Sequence, residues 1–142
     1  MIWLLIDSEN YFDKEQEDYG IKKGSKGIQE HANDIHRNDF LLIYDVSRQR
    51  IEQIYKVTEE DVYETDYDDY PLGIGISYID RLDNPISFEE MKRLLPNSEY
   101  VKDSRRRAIG IITSNEWRKL REHLLKNNRR FSDLRQLLTW IN

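Results

Sequence analysis

The chain contains no cysteine, and this absence excludes several kinds of protein at once. Without thiols there are no disulfides, no thiolate zinc sites and no cysteine nucleophile, which suits a reducing compartment. The apolar run that opens the chain, residues 1–6, ends at Asp7, lacks a basic leader and is too short for a signal sequence or a membrane span. We therefore expect a cytoplasmic protein with no membrane partner.

Recognisable catalytic motifs are absent as well. His31 and His36 are five residues apart and point to different sides of a helix, and His123 is remote from both in sequence, so the histidines lack metal-ligand spacing. The glycine-lysine segment 20–27 lacks the Gly-Lys-Ser/Thr ending of a phosphate-binding loop, and there is no nucleophile-elbow motif. We expect neither an enzyme nor a cofactor nor a metal site.

The charge that is present is unevenly distributed. The net charge is −5, yet residues 59–69 carry seven acids and no base, and residues 101–130 carry ten bases and three acids. These acids could form either a cation site or a hydrated loop. We interpret 59–69 as a hydrated acidic loop, because alternating acids without a calcium-loop glycine rarely bind a cation. The basic segment is either the wet face of an amphipathic helix or a surface for phosphates.

At 142 residues the chain fits one domain, with a core over about 2–125 and an additional helix over 128–142. Apolar periodicity predicts the strands and the helices. The predicted strands are Ile2–Ile6, Phe40–Tyr44, Ile51–Val57, Leu72–Ile79 and Arg105–Thr113. The predicted helices are a short turn across Glu9–Glu17 capped by Ser8, a helix over 28–35, one capped by Ser87 with Glu90, one capped by Ser114 that ends at about Lys126, and one from Ser132.

Three local patterns complete this prediction. Ile51, Gln53, Tyr55 and Val57 alternate and should share one face of their strand. Gly73 and Gly75 indicate a strand that bends sharply or is approached closely by other backbone, and Asn84–Ser87 a turn before a helix. The elements together indicate an α+β domain built on a small, curved, mostly antiparallel β-barrel with flanking helices and a C-terminal helical extension.

Several short motifs in this order resemble the EVE domain, a branch of the PUA-like fold that is related to the YTH readers of methylated RNA. The matching segments are Ile2–Ile6 with Ser8–Asn10, Tyr19–Lys23, Ile35–Asp39, Ile54–Glu59, Tyr70-Pro71, Ile86–Phe88, Val101–Arg105 and Glu116-Trp117. The resemblance covers roughly residues 2–125. Two positions depart from the family pattern: Tyr19 stands where Trp is usual, and Asn38 where the turn usually has Gly.

The resemblance implies a non-catalytic domain that binds RNA or modified DNA and holds one nucleobase in an aromatic and polar pocket. The positions that match the family's base pocket are Asn10, Tyr19, Gly20, Ile21, Lys22, Ser104 and Arg105. We expect Tyr19 to form an aromatic wall and Asn10 to read a base edge with a donor and an acceptor. Phosphate contacts are expected from Lys23, Lys26, Arg106 and Arg107, besides Lys22.

Each of these residues also has a purely structural interpretation. Asn10 is suited to capping a helix, Tyr19 to covering the barrel end, and the lysines to a solvated loop. Arg106 points away from Arg105 and Arg107 in a strand, so some of these arginines are expected to pair with the acidic segment instead. The alternative function is a protein-interaction or small-ligand module on the same barrel, with a homodimer formed through the C-terminal helix that carries Trp140.

Overall fold

A computed structural model describes residues 1–7, 15–25, 27–102 and 109–128. Its strands are β1 (Ile2–Asp7), β2 (Asp18–Ile21), β3 (Phe40–Asp45), β4 (Arg50–Val57), β5 (Tyr63–Tyr67), β6 (Tyr70–Ser87) and β7 (Ile109–Ile112). Its helices are α1 (Ile28–His31), which continues into a 3₁₀ turn at Ala32–Asp34, α2 (Phe88–Leu94), α3 (Glu99–Lys102) and α4 (Ser114–Asn127).

The strands form one curved sheet in the order β2-β6-β4-β3-β1-β7, and β5 pairs with β6 outside this path. β1 runs parallel to β3, and every other strand pair in the described residues is antiparallel. The prediction of a curved, mostly antiparallel sheet with flanking helices is therefore confirmed.

The sheet has a hydrophobic core on each of its two faces, and strand β1 contributes side chains to both. Its side chains alternate between the two faces of the sheet, as the period of a strand requires. Ile2, Leu4 and Ile6 enter the cluster on the helix-covered face, which we call the outer core, whereas Trp3 and Leu5 enter a second cluster, the inner core. The strand is buried on both faces, which is why it reads as a continuous apolar run.

Helices α2, α3 and α4 cover the outer core. Met91, Trp117, Leu120 and Leu124 each bury a side chain there. No helix in the ranges that the structure describes is both long enough and apolar enough to cross a bilayer. Because these side chains pack on the sheet, the helical layer shields its outer face from water.

The inner core lies on the other face, where strands from both ends of the sheet contribute side chains to one cluster. The curl of the sheet brings β2, at one end of the strand order, up to β1. The Tyr19 hydroxyl donates a 3.0 Å hydrogen bond to the carbonyl oxygen of Ile6. This bond fixes β2 beside the carboxyl end of β1 and positions the candidate site.

Two irregularities in the strands differ from the predictions. The prediction that Ile51 shares a face with Tyr55 and Val57 is wrong, because β4 and β6 shift register between Ile51 and Gln53, and Ile51 enters the outer core. The sequence predicts a turn at Asn84 and its neighbours, but they belong to β6. At this register shift residues 82–85 of β6 stand opposite a single residue of β4. There the Asn84 side chain donates to the backbone of Asn127 at the end of α4.

The acidic segment 59–69 also differs from the prediction, since β5 occupies Tyr63–Tyr67 and pairs with β6. The N-cap of α4 is Thr113 and not Ser114. Of the predicted strand Arg105–Thr113, the described residues show β7 at Ile109–Ile112, and of the predicted turn across Glu9–Glu17 the described residues 15–17 are not helical. The predicted helix after Ser132, with Trp140, lies outside the described residues.

Candidate functional site

Strand β2 presents two different faces at the segment Tyr19-Gly20. Tyr19 pairs with Ile74 and Gly20 with Gly73 across the β2–β6 ladder. Because side chains alternate along a strand, Tyr19 and Ile21 point to the inner core, and Asp18 shares the opposite face with Gly20. That opposite face carries no side chain at position 20 or at its partner position 73.

Two tyrosine rings lie directly over these glycines. A Cβ atom at position 73 would lie 2.6 Å from a ring carbon of Tyr63, and one at position 20 would lie 3.1 Å from Cβ of Tyr70. Both glycines therefore permit the close approach of an aromatic side chain to the backbone of the sheet. The close approach predicted for Gly73 occurs, but it is made by a side chain and not by backbone.

The hairpin of β5 and β6 holds the tyrosines in place. Tyr67 pairs with Tyr70 at its tip, and the Thr65 hydroxyl donates to the carbonyl oxygen of Tyr70. Tyr67 is 73% exposed, so its ring stands open to solvent. A groove of about 640 Å³, which we call the tyrosine groove, is lined by residues of this hairpin and of β2. Its lining residues are Asp18, Tyr19, Gly20, Tyr63, Thr65, Asp66, Tyr67, Tyr70 and Gly73.

The tyrosine groove has a negative electrostatic environment. Asp18 and Asp66 belong to its lining, and the side chain of Glu59 lies against the neighbouring Gly75. Burial raises the pKa of the Tyr63 phenol, and the negative charges of Asp18 and Glu59 raise it further. The phenol therefore stays protonated, as a donor, through the physiological range.

The structure brings part of the predicted base pocket to this groove. Tyr19 and Gly20 line it, whereas Ile21 is only 2% exposed and its side chain belongs to the inner core. Lys22 and Lys23 are exposed just beyond β2, where the amide of Lys23 donates to the carbonyl oxygen of Asp69 at 2.9 Å. Asn10, Lys26, Ser104, Arg105, Arg106 and Arg107 lie outside the described residues.

Asp7 and Ile109 are the described residues next to the segments that contain Asn10 and Ser104–Arg107, and both lie at one end of the sheet. Asp7 closes β1, and Ile109 opens β7 opposite Leu5. The Tyr19 hydroxyl reaches the carbonyl of Ile6 at this same end. The end of β1 and the start of β7 therefore both lie near Tyr19.

Sequence reasoning missed Tyr63, Tyr67 and Tyr70. Seven acids dominate residues 59–69 and made the segment look like a hydrated loop. A signal was nevertheless present, because hydrated acidic loops are poor in aromatic residues and this one has tyrosines at positions 63 and 67, with Tyr70 directly after it. Aromatic residues of high β-propensity within a charged stretch indicate a strand.

A second cluster, formed by Glu30, His31 and Glu99, offers three ligand atoms within 4.8 Å of one another. His31 Nε2 lies 2.9 Å from Oε2 of Glu99, and that oxygen also accepts the amide of Ile111 at 2.8 Å. The three residues come from distant positions, so sequence spacing did not reveal them. Their hydrogen bonds join α1, α3 and β7, which accounts for the cluster as a structural contact.

The curved sheet, with its outer helical layer and a groove beside its second strand, places this protein in the class of PUA-like domains. The family model described as the EVE domain matches residues 1–123, and the chain belongs to this family. No curated protein sequence gives a significant match.

Solved structures agree with this fold. A Rhodopseudomonas palustris protein is 19% identical, with a TM-score of 0.67, over 90% of this chain and 92% of its own. A Leishmania major protein has a TM-score of 0.70 at 14% identity, over 88% and 94% of the two chains. Human THYN1, solved with DNA that contains 5-methylcytosine, has a TM-score of 0.60 at 13% identity, over 87% and 96%.

Proposed function

We propose that this EVE domain is a non-catalytic nucleic-acid-binding module that takes a single nucleobase into the tyrosine groove. The observation that carries the proposal is the set of three tyrosine rings, Tyr63, Tyr67 and Tyr70, beside the two glycines Gly20 and Gly73. A base has two apolar π-faces and a polar edge, and aromatic side chains are its usual stacking partners in proteins. A groove of about 640 Å³ lies in the size range of small-molecule sites.

The comparison with human THYN1 supports the same function. That protein was solved in complex with DNA containing 5-methylcytosine, and it shares the fold of this chain at 13% identity. The proposed role is binding alone. The groove offers stacking surfaces, hydroxyls and carboxylates, which are sufficient to hold a base. Binding without reaction is the simplest use of such a lining.

The charges around the groove favour a base inside it and the phosphates of the nucleic acid outside it. The carboxylates of Asp18 and Asp66 line the groove and would repel a phosphate there, yet they can accept hydrogen bonds from an exocyclic amino group. Lys22 and Lys23 are exposed outside it and are suited to the phosphates on either side of the base. In this proposal Asn10, Ser104 and Arg105 add polar contacts to the base, and Lys26, Arg106 and Arg107 add phosphate contacts.

The exposed ring of Tyr67 provides a direct test. Tyr67→Ala should weaken binding of a single-stranded oligonucleotide about 5- to 100-fold, because stacking contributes about 1–3 kcal/mol per base. Tyr67→Phe keeps the ring and should bind within about twofold of the unchanged protein. Val46→Ala, at another exposed apolar residue, is the matched control for surface truncation. Equal affinity of Tyr67→Ala and the unchanged protein, measured by fluorescence anisotropy, would refute the role of the groove.

The salt dependence of binding tests the backbone contacts separately. Each phosphate contact on a single strand contributes about −0.7 to the slope of log K against log salt concentration. Replacing Lys22 and Lys23 together by Gln should make this slope shallower by about 1.4 and should leave the preference among bases unchanged. A slope that does not change places the phosphates elsewhere on the molecule.

A further inference from the structure

We propose that the tyrosine groove prefers a positively charged, N-methylated nucleobase to its neutral isomer. The inference rests on the proposed function and names the class of base that the same groove selects. It follows from two observations: the groove walls are phenol rings, and the charged side chains of its lining are carboxylates.

Phenol rings attract cations through the negative potential above their faces. A cation over an aromatic ring gains more than a neutral group of the same shape, and it gains most where water is displaced. Tyr63 and Tyr70 are half-buried against the glycines of the sheet, and Tyr67 stands free at the rim. A methylated base ring that carries a positive charge combines stacking with this attraction.

The carboxylates add a second attraction that a neutral base does not feel. Asp18 and Asp66 line the groove, and among the described lining residues there is no lysine or arginine to balance them. Burial is the main reason why the pKa of the Tyr63 phenol is raised, and the negative charges of Asp18 and Glu59 raise it further. The same field that disfavours a tyrosinate favours a cation.

The same lining disfavours the other charged parts of a nucleic acid. A phosphate placed between Asp18 and Asp66 would meet two like charges, and the exposed lysines next to the groove offer it a better position. The groove therefore selects by charge as well as by shape: cationic ring inside, phosphates outside.

Pairs of isomeric nucleosides isolate the charge from size and composition. 1-Methyladenosine is a cation at neutral pH and N6-methyladenosine is neutral, and 3-methylcytidine and 5-methylcytidine form a second such pair. We expect each cation to bind about 3- to 30-fold more tightly than its isomer in an NMR shift titration. The signals of the groove residues should shift, and those of the helical layer should not.

Two charge-neutral variants test the origin of the preference. Asp18→Asn and Asp66→Asn keep the size of the side chain and should lower the affinity for 1-methyladenosine severalfold, while N6-methyladenosine binds as before. Ser77→Ala, at an exposed position of β6 that does not line the groove, should change neither affinity.

The outcomes separate this inference from the proposed function. Equal binding of the two isomers, with oligonucleotide binding intact, overturns the charge preference and leaves the base pocket standing. No binding of any nucleoside or oligonucleotide overturns both. Tighter binding of a trimethyllysine peptide than of 1-methyladenosine overturns both in favour of a basic protein partner.

Discussion

The indole Nε1 of Trp3 donates a 2.9 Å hydrogen bond to Oδ2 of Asp39, across 36 residues of sequence. Asp39 is only 7% exposed, and its carboxylate also accepts the amino group of Met1 at 2.8 Å and the amide of His36 at 3.0 Å. One buried carboxylate therefore joins the start of β1, the turn before β3 and the inner core. A buried charge of this kind is stable because each oxygen has a donor.

Asp39→Ala should therefore lower the free energy of unfolding by about 2–3 kcal/mol, because it leaves the Trp3 indole buried without a partner. Asp34→Ala, at an exposed position in the preceding turn, should cost less than about 0.5 kcal/mol. Urea denaturation followed by tryptophan fluorescence measures both. If the two variants unfolded at the same urea concentration, the carboxylate would have no structural role.

The helix cap of α4 gives a second prediction. Thr113 Oγ1 accepts the amide of Glu116 at 3.3 Å, and the Glu116 carboxylate accepts the amide of Thr113 at 2.9 Å. Thr113→Ala should destabilise the protein by about 1 kcal/mol, whereas Ser114→Ala, one residue further on, should cost a few tenths of this. The melting temperature of Thr113→Ala should be lower than that of Ser114→Ala. The reverse order would place the cap at Ser114.

The outer core contains a buried pair of phenols that makes stability depend on alkaline pH. The rings of Tyr44 and Tyr100 lie 4.8 Å apart. Burial raises the pKa of Tyr44 above its ordinary value near 10, and the neighbouring Tyr100 raises it further. Above about pH 10 the unfolded chain loses this proton and the folded protein keeps it, so the free energy of unfolding falls as pH rises.

Tyr44→Phe removes one of the tyrosines whose pKa is raised and should make this fall shallower between about pH 9.5 and 11.5, whatever its effect at neutral pH. Tyr67→Phe, at the 73% exposed ring, is the matched control and should keep the full dependence. Urea midpoints across this range provide the measurement. A slope in Tyr44→Phe as steep as in the unchanged protein would exclude Tyr44 as the origin.

Gly73→Ala tests the architecture of the groove without removing a tyrosine. The new methyl group would lie 2.6 Å from the Tyr63 ring, so the ring must move away from the sheet. We expect oligonucleotide affinity to fall at least fivefold, with a loss of stability of about 1–2 kcal/mol. Gly24→Ala, in the loop beyond β2, has no atom within 4 Å of its Cβ; its φ of +81° makes an alanine there cost some stability, but it should spare binding. Unchanged binding by Gly73→Ala would mean that the Tyr63 wall is not used.

The apolar pattern of the sequence made much of the sheet predictable. Strands β1 and β3 are continuous apolar runs because both of their faces are buried, and α2 was found from the capping box of Ser87 and Glu90. The register shift of β4 was not predictable, because it is set by the extra residues of its partner strand β6. Local sequence cannot report a bulge whose cause lies on another strand.

The candidate site was half predictable for a similar reason. Tyr19 and Gly20 were found through the order of motifs along the chain, but the tyrosines that face them were hidden by seven acids in residues 59–69. Whether such a segment forms a loop or a strand depends on its pairing with β6, where Tyr63 lies opposite Gly73. Because glycine has no side chain, there is room for the ring. That Tyr63 lies opposite Gly73 is visible only in the register of the folded strands.

Glu99 has an effect on how copies of the protein behave when they are concentrated. Strand β7 ends the strand order, and the outer edge of a sheet is a template onto which a strand of another molecule can add. The Glu99 carboxylate already accepts the amide of Ile111 at 2.8 Å and is itself held by His31. An intruding strand would have to displace a charged acceptor from that amide, so this contact protects the domain against intermolecular sheet growth.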